Sequence, residues 1–154
     1  MKGFTLIELL IVIGITLLLV AAVAPIYGNL QVSSQLNENS AQIIQSLRIV
    51  RERSVSGVNN AQHGVYFEAN VSPEQDKYVL YQGLSYDERI AVYDREVILD
   101  KSLNFSLPGG VAEYEINFTK GLGVPNNTGM IILTHDVQGA RQIIINNLGM
   151  VEED

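Results

Sequence analysis

Residues 4–26 read FTLIELLIVIGITLLLVAAVAPI, an apolar run in which Glu8 is the one charged side chain. At 1.5 Å rise per residue these about 23 residues would reach roughly 35 Å as a helix, enough to cross a hydrocarbon core. A secretory signal peptide fits them badly, because its apolar stretch runs only about 7 to 15 residues. Pro25, directly after the small residues Ala21 to Ala24, also disfavours ordinary signal-peptidase cleavage. An uncleaved signal anchor fits the topology, with Lys2 holding the N-terminus in the cytoplasm. It leaves Glu8 unexplained. A carboxylate deep in a membrane helix costs about 3 kcal/mol, and no Lys or Arg lies between Lys2 and Arg48 to neutralise it. Its partner is then solvent at the interface or a positive group supplied by another chain.

The octet Gly3-Phe4-Thr5-Leu6-Ile7-Glu8-Leu9-Leu10 resembles the type III signal of type IV prepilins and type II secretion pseudopilins. There a short basic leader ends in Gly, Phe usually follows, and Glu comes four residues later. The resemblance implies that a prepilin peptidase cuts between Gly3 and Phe4 on the cytoplasmic side and methylates the new amine of Phe4. It also implies the missing cation: the Phe4 ammonium of a neighbouring or the same subunit neutralises Glu8 in an apolar filament core. Desolvation offsets much of that pairing, so axial registry is its larger benefit. Pro25 removes one helical hydrogen bond, and in this family marks where the helix bends or melts on assembly. Gly14 and Thr16 are small enough for close helix packing and equally ordinary in a membrane helix.

Beyond residue 27 the chain turns polar, and from Leu36 an apolar stripe recurs at Leu36, Ile43, Leu47 and Val50, with Ser40 in the intervening turn. This predicts a helix packed on a head and ending near Ser56, with Gly57 as its stop. Arg48, Arg51 and Arg53 near that end are read as a solvated face that complements the helix dipole and caps its carbonyls, in preference to a phosphate-binding patch. After Gly57 the period changes to two. Strands are expected at 63–69, 78–82, 90–93, 97–99, 103–107, 113–118, 129–134 and 141–146, separated by Gly, Pro, Asn and Asp. The last two form a hairpin. The expected fold class is therefore α+β: a long N-terminal helix followed by an antiparallel β-rich globular head. Its expected parts are a leader 1–3, a transmembrane and filament-core helix 4–26, an amphipathic continuation 27–57 and a head 58–154.

The order of elements, the run Leu47, Arg48 and Arg51, the stretch from Phe118 to Leu122 and the terminal Leu148-Gly149 resemble the GspH/FimT-like minor pseudopilins. The implied partners are a prepilin peptidase, other pilin or pseudopilin subunits, an inner-membrane assembly platform and membrane lipid. The implied location is the bacterial inner membrane, single-pass, with the N-terminus cytoplasmic and the head outside, and afterwards the filament.

Composition excludes several alternatives. With no cysteine, the head has neither disulfides nor a thiolate metal site. Net charge is −7, and loss of Lys2 with a leader would take it to −8, so nucleic acid is a poor default partner. The two histidines, His63 and His135, sit at strand positions with no convergent nucleophile. Asp87-Glu88, Asp94-Arg95-Glu96 and Glu152-Glu153-Asp154 lack the alternating ligand spacing of a calcium loop and are read as solvated loops. Gly109-Gly110 and Gly121-Leu122-Gly123 lack the context of a phosphate cradle. No enzyme, cofactor or metal is expected. Four readings stay open: a secretion pseudopilin, a pilus-priming minor pilin, a DNA-uptake pilin and a membrane-anchored binding module that never polymerises.

Overall fold

The computed structural model describes residues 5–69 and 75–154, with the side chains of residues 22–27 outside that set. One helix, α1, occupies Leu6–Ser56, 51 residues long and about 76 Å from end to end at 1.5 Å per residue. It opens on Thr5 as N-cap and ends at Gly57, whose φ of 67° is left-handed and whose N–H turns back to the carbonyls of Arg53 and Ser54. The assignment continues through position 25. The bend expected at Pro25 falls on side chains outside the described set.

The head contains two four-stranded antiparallel sheets. In chain order the strands are β1 (His63–Glu68), β2 (Lys77–Gln82), β3 (Arg95–Ile98), β4 (Leu103–Ser106), β5 (Glu113–Phe118), β6 (Gly129–His135), β7 (Ala140–Ile145) and β8 (Val151–Glu153). One sheet runs β3-β2-β1-β5 and the other β4-β6-β7-β8. The stripe of α1 packs beneath them. Leu36, Ser40, Ile43, Leu47 and Val50 are all buried, and Val32 and Ile44 extend the stripe. They meet Val65, Phe67, Leu80, Ile116 and Phe118 from the first sheet and Ile131, Leu133, Ile143 and Ile145 from the second in one core. Phe67 and Phe105 join the sheets edge to face, with ring centroids 5.5 Å apart. Asp76 bridges them through polar contacts, its carbonyl accepting from Leu99 N–H and its carboxylate from Phe105 N–H.

Two sequence expectations need correction. Residues 90–93 form no strand: Ala91–Tyr93 is a 3-10 turn, and Val92 and Tyr93 are exposed. The β-branched composition is overridden by an Arg89–Asp94 ion pair at 2.7 Å that closes the loop and by Ile90 N–H bonding back to Gln82. The acidic end, read as a solvated loop, forms β8 on β7. Asn146 Oδ1 accepts from the N–H groups of both Leu148 and Met150 and so builds the turn that returns the chain to the sheet.

The end of α1 docks on β1 through Ser54, whose Oγ accepts from His63 N–H at 2.8 Å and donates to His63 O at 3.3 Å. His63 is 3% exposed. Burial, and then the Arg53 charge, hold its pKa below the ordinary value, against opposing contributions from Gln82 and the Ala61 backbone. The unfolded chain therefore binds this proton more readily than the folded one. Stability is expected to fall as pH drops through about 6.5, the unfolded value. Unfolding curves of His63→Gln should lose that part of the pH dependence.

Gly149 has a φ of 75°, and a Cβ there would lie 2.5 Å from Gly123 O and 2.8 Å from Arg51 Nε; Gly109 has a φ of 74° with nothing within 4 Å. Gly109→Ala is expected to cost only the left-handed penalty, about 1–2 kcal/mol. Gly149→Ala should cost more, because backbone must also move. Denaturant unfolding of the detergent-solubilised chain would compare the two.

Candidate assembly helix and its anchorage

Gly3 and Phe4 lie outside the described residues, so the site begins at Thr5. Thr5 N–H donates to Glu8 Oε2 at 2.9 Å, Thr5 Oγ1 donates to the same oxygen at 2.7 Å, and Glu8 N–H donates to Thr5 Oγ1 at 3.3 Å. This is a reciprocal capping box. It satisfies two donors that a helix start leaves unpaired and puts a carboxylate at the positive end of the helix dipole. Sequence reasoning sought a distant cation for Glu8 and overlooked this local role, although Thr5-x-x-Glu8 is the known signature of the box. Both Thr5 contacts use Oε2, so the second carboxylate oxygen can meet a cation while the box stays formed.

Along the next four turns the helix is apolar on every side and exposed. Leu6, Ile7, Leu10, Leu17, Leu18 and Leu19 each keep more than three-fifths of their surface open. Such a surface differs in kind from the one-sided stripe beyond residue 32. A helix that is apolar all round needs lipid or other apolar helices about it. Thr16 hides its hydroxyl by donating to Val12 O at 2.7 Å, as a polar side chain in apolar surroundings must. Among the described residues no helix is long and apolar enough to cross a membrane. The described side chains of this run stop at Ala21, which is about 24 Å of helix against the roughly 30 Å of a hydrocarbon core. The sequence itself stays apolar to Ile26.

The head is fastened to α1 by a ladder of polar contacts. Gln138 donates to Asn29 at 2.8 Å, and Arg141 places Nε and Nη2 on Asn37 Oδ1 at 2.9 and 2.7 Å. His135 Nδ1 accepts from Val137 N–H at 3.1 Å, which leaves Nε2 to carry the proton toward Gln35 Oε1 at 3.0 Å. Farther up, Arg48 Nη2 donates to Val151 O at 3.0 Å. Arg51 spans two turns, reaching Gly123 O at 3.2 Å through Nε and Leu148 O at 3.1 Å through Nη2. The reading of these arginines as caps for their own helix is thus corrected for Arg48 and Arg51. Their targets are carbonyls of the head, brought near only by the fold.

Sequence segments far apart in the chain meet here. Arg48 and Arg51, the turn after Phe118 and the turn at Leu148-Gly149 form one junction, with Gly123 and Gly149 packed directly on Arg51.

A profile for the prokaryotic N-terminal methylation motif matches residues 1–24. The crystal structure of the type IV minor pilin FimU from Pseudomonas aeruginosa superposes with a TM-score of 0.52, over 84% of this chain and 92% of that one, at 15% sequence identity. The long N-terminal helix and antiparallel head thus share a pilin-like α+β fold with it. No curated protein matches the sequence.

Arg51→Lys keeps the charge but cannot span two carbonyls with one rigid fork. It is expected to cost about 1 kcal/mol and to speed amide hydrogen exchange in both turns that it holds. Mass-spectrometric exchange of the detergent-solubilised chain would read the two turns separately.

Proposed function

We propose that the chain is a structural subunit, a minor pilin or minor pseudopilin, of a type IV pilus or type II secretion filament. The observation that carries this reading is the exposed helix, apolar on all sides, that begins with the methylation motif and is rigidly tied to a head of pilin-like fold. Before assembly the helix rests in the inner membrane with the head on the far side. Prepilin peptidase hydrolyses the Gly3–Phe4 peptide bond at the cytoplasmic face, releasing Met1 to Gly3, and the new Phe4 amine is methylated. An assembly platform then moves the subunit from lipid into a bundle of like helices.

In that transfer Glu8 exchanges its Thr5 partners for the Phe4 ammonium of another subunit, or shares itself between them. A charged hydrogen bond in apolar surroundings has one favoured geometry. Because Glu8 sits in the first turn of a helix about 76 Å long, fixing it fixes the axial position of everything beyond, including the head. A bend near Pro25 would let the two halves of α1 adjust to neighbours. The role is structural, with no chemistry performed by the chain itself.

The test is intact-mass analysis of the membrane-extracted chain co-expressed with a prepilin peptidase. Loss of Met1 to Gly3 and one methyl group on Phe4 are expected, and a bulky replacement of Gly3 should block both. Glu8→Ala should be processed but largely fail to enter filaments, as read by shear-fraction immunoblot. Normal assembly of that variant would refute the registry role. An uncut chain beside an active peptidase would favour a membrane-anchored binding module.

A further inference from the structure

At the far end of the head, a cleft of about 270 Å³ opens between the last turns of α1 and strand β3. Arg53 enters it from the helix and Arg95 from the strand, with His63, Asn59 and Tyr93 around them. The register explains the position of Arg95. It pairs with Leu80, whose side chain points into the core, so Arg95 stands on the inner face of the sheet toward α1. Glu96 pairs with Val79 and faces the other way, 3.9 Å from Lys77.

The acidic residues nearest in sequence are therefore committed elsewhere. Asp94 is held by Arg89, and Glu52 lines a different groove beside Arg48 and Met150. Among the described residues neither Arg53 nor Arg95 forms an ion pair or side-chain hydrogen bond. His63, nine-tenths and more buried, lines the same cleft and has an Nδ1 without a hydrogen-bond partner among the described residues. In a chain of net charge −7 with 10 lysines and arginines, two exposed arginines lining one cleft without an ion-pair partner among the described residues favour an anion there.

The strand beside the cleft indicates what carries that anion. Three of the four sheet edges are closed. Beyond β5 lies the segment 125–127, through a Phe118–Pro125 bridge and the side chains of Asn126 and Asn127. On β4 the Asp76 carboxylate accepts from Phe105 N–H, and on β8 Arg48 takes Val151 O. Only β3 has no such cover among the described residues, and Ile98 on it and Val92 beside it are exposed. An open edge flanked by apolar side chains accepts an extended polypeptide.

We infer that this cleft is a carboxylate-binding site, in which Arg53 and Arg95 receive an aspartate or glutamate side chain from an acidic segment of a partner protein lying along the open edge of β3. This goes beyond the filament reading and stands whether or not the chain polymerises. A nucleic acid backbone is disfavoured, since its repeated phosphates would have to cross the acidic surface around a single two-arginine cleft.

The full chain in detergent micelles is titrated with a blocked tetrapeptide containing two glutamates, while the Arg Nε–H and His ring resonances are followed by NMR. The same peptide with glutamines, inorganic phosphate and a single-stranded oligonucleotide serve as comparisons. Saturable shifts at Arg53, Arg95 and His63 are expected with the glutamate peptide, and apparent affinity should fall about tenfold or more in Arg53→Gln and Arg95→Gln. Both side chains are peripheral, and an unchanged backbone amide spectrum verifies that each variant is folded. No shift at these residues, or equal shifts with the glutamine peptide, overturns the proposal on wild-type protein alone. Tighter binding of phosphate or of the oligonucleotide at the same residues overturns the carboxylate assignment.

Discussion

Burial of one face of α1 beneath two sheets is the interaction on which the rest of the structure depends. Leu36, Ile43, Leu47 and Val50 present a single stripe, and each sheet supplies one inner face to cover it. Neither four-stranded sheet could bury its own apolar face alone. The helix lies across both as the common core element. Since that same helix continues for several turns with no head around it, the head's position relative to the exposed apolar half is determined by helical geometry.

Apolar packing tolerates small slides along a helix, and the polar ladder removes that freedom. Contacts from Asn29 to Arg51 are distributed along α1, and most end on backbone carbonyls or amide oxygens with fixed directions. Each is worth little when solvent competes. Their combined geometric demand is stringent, because a shift of one helical residue would break all of them together. Gly123 and Gly149 belong to this arrangement: a Cβ on Gly123 would meet Val55 Cγ2 at 2.5 Å, and one on Gly149 would meet Gly123 O at 2.5 Å and Arg51 Nε at 2.8 Å.

The head's edges express the same economy. Asparagine side chains, an aspartate and an arginine close strands that would otherwise present free backbone groups, a protection against unwanted pairing. Among the described residues, one strand left open beside two arginines without ion-pair partners distinguishes that flank of the head from its other sides. The base of the head, by contrast, is held to α1 by His135, Gln138 and Arg141.

What was legible in the sequence rests on local rules. A long apolar run with a single acid, a stripe at helical spacing, a glycine stop at Gly57 and a change to period two identify the helix, its end and an antiparallel head, since each depends on residues within a few turns of one another. The capping box of Thr5 and Glu8 was equally local. Its signature is a Thr three residues before a Glu at a helix start, and the charge of that Glu masks its hydrogen-bonding role. The strand assigned to residues 90–93, the loop assigned to the acidic terminus and the destination of Arg48 and Arg51 failed for a different reason. Each was decided by partners 5 to about 100 residues away: an ion pair to Arg89, a pairing with β7 and carbonyls of two distant turns. Composition specifies what a segment can bury or bond, but only the tertiary structure places the complementary group within reach.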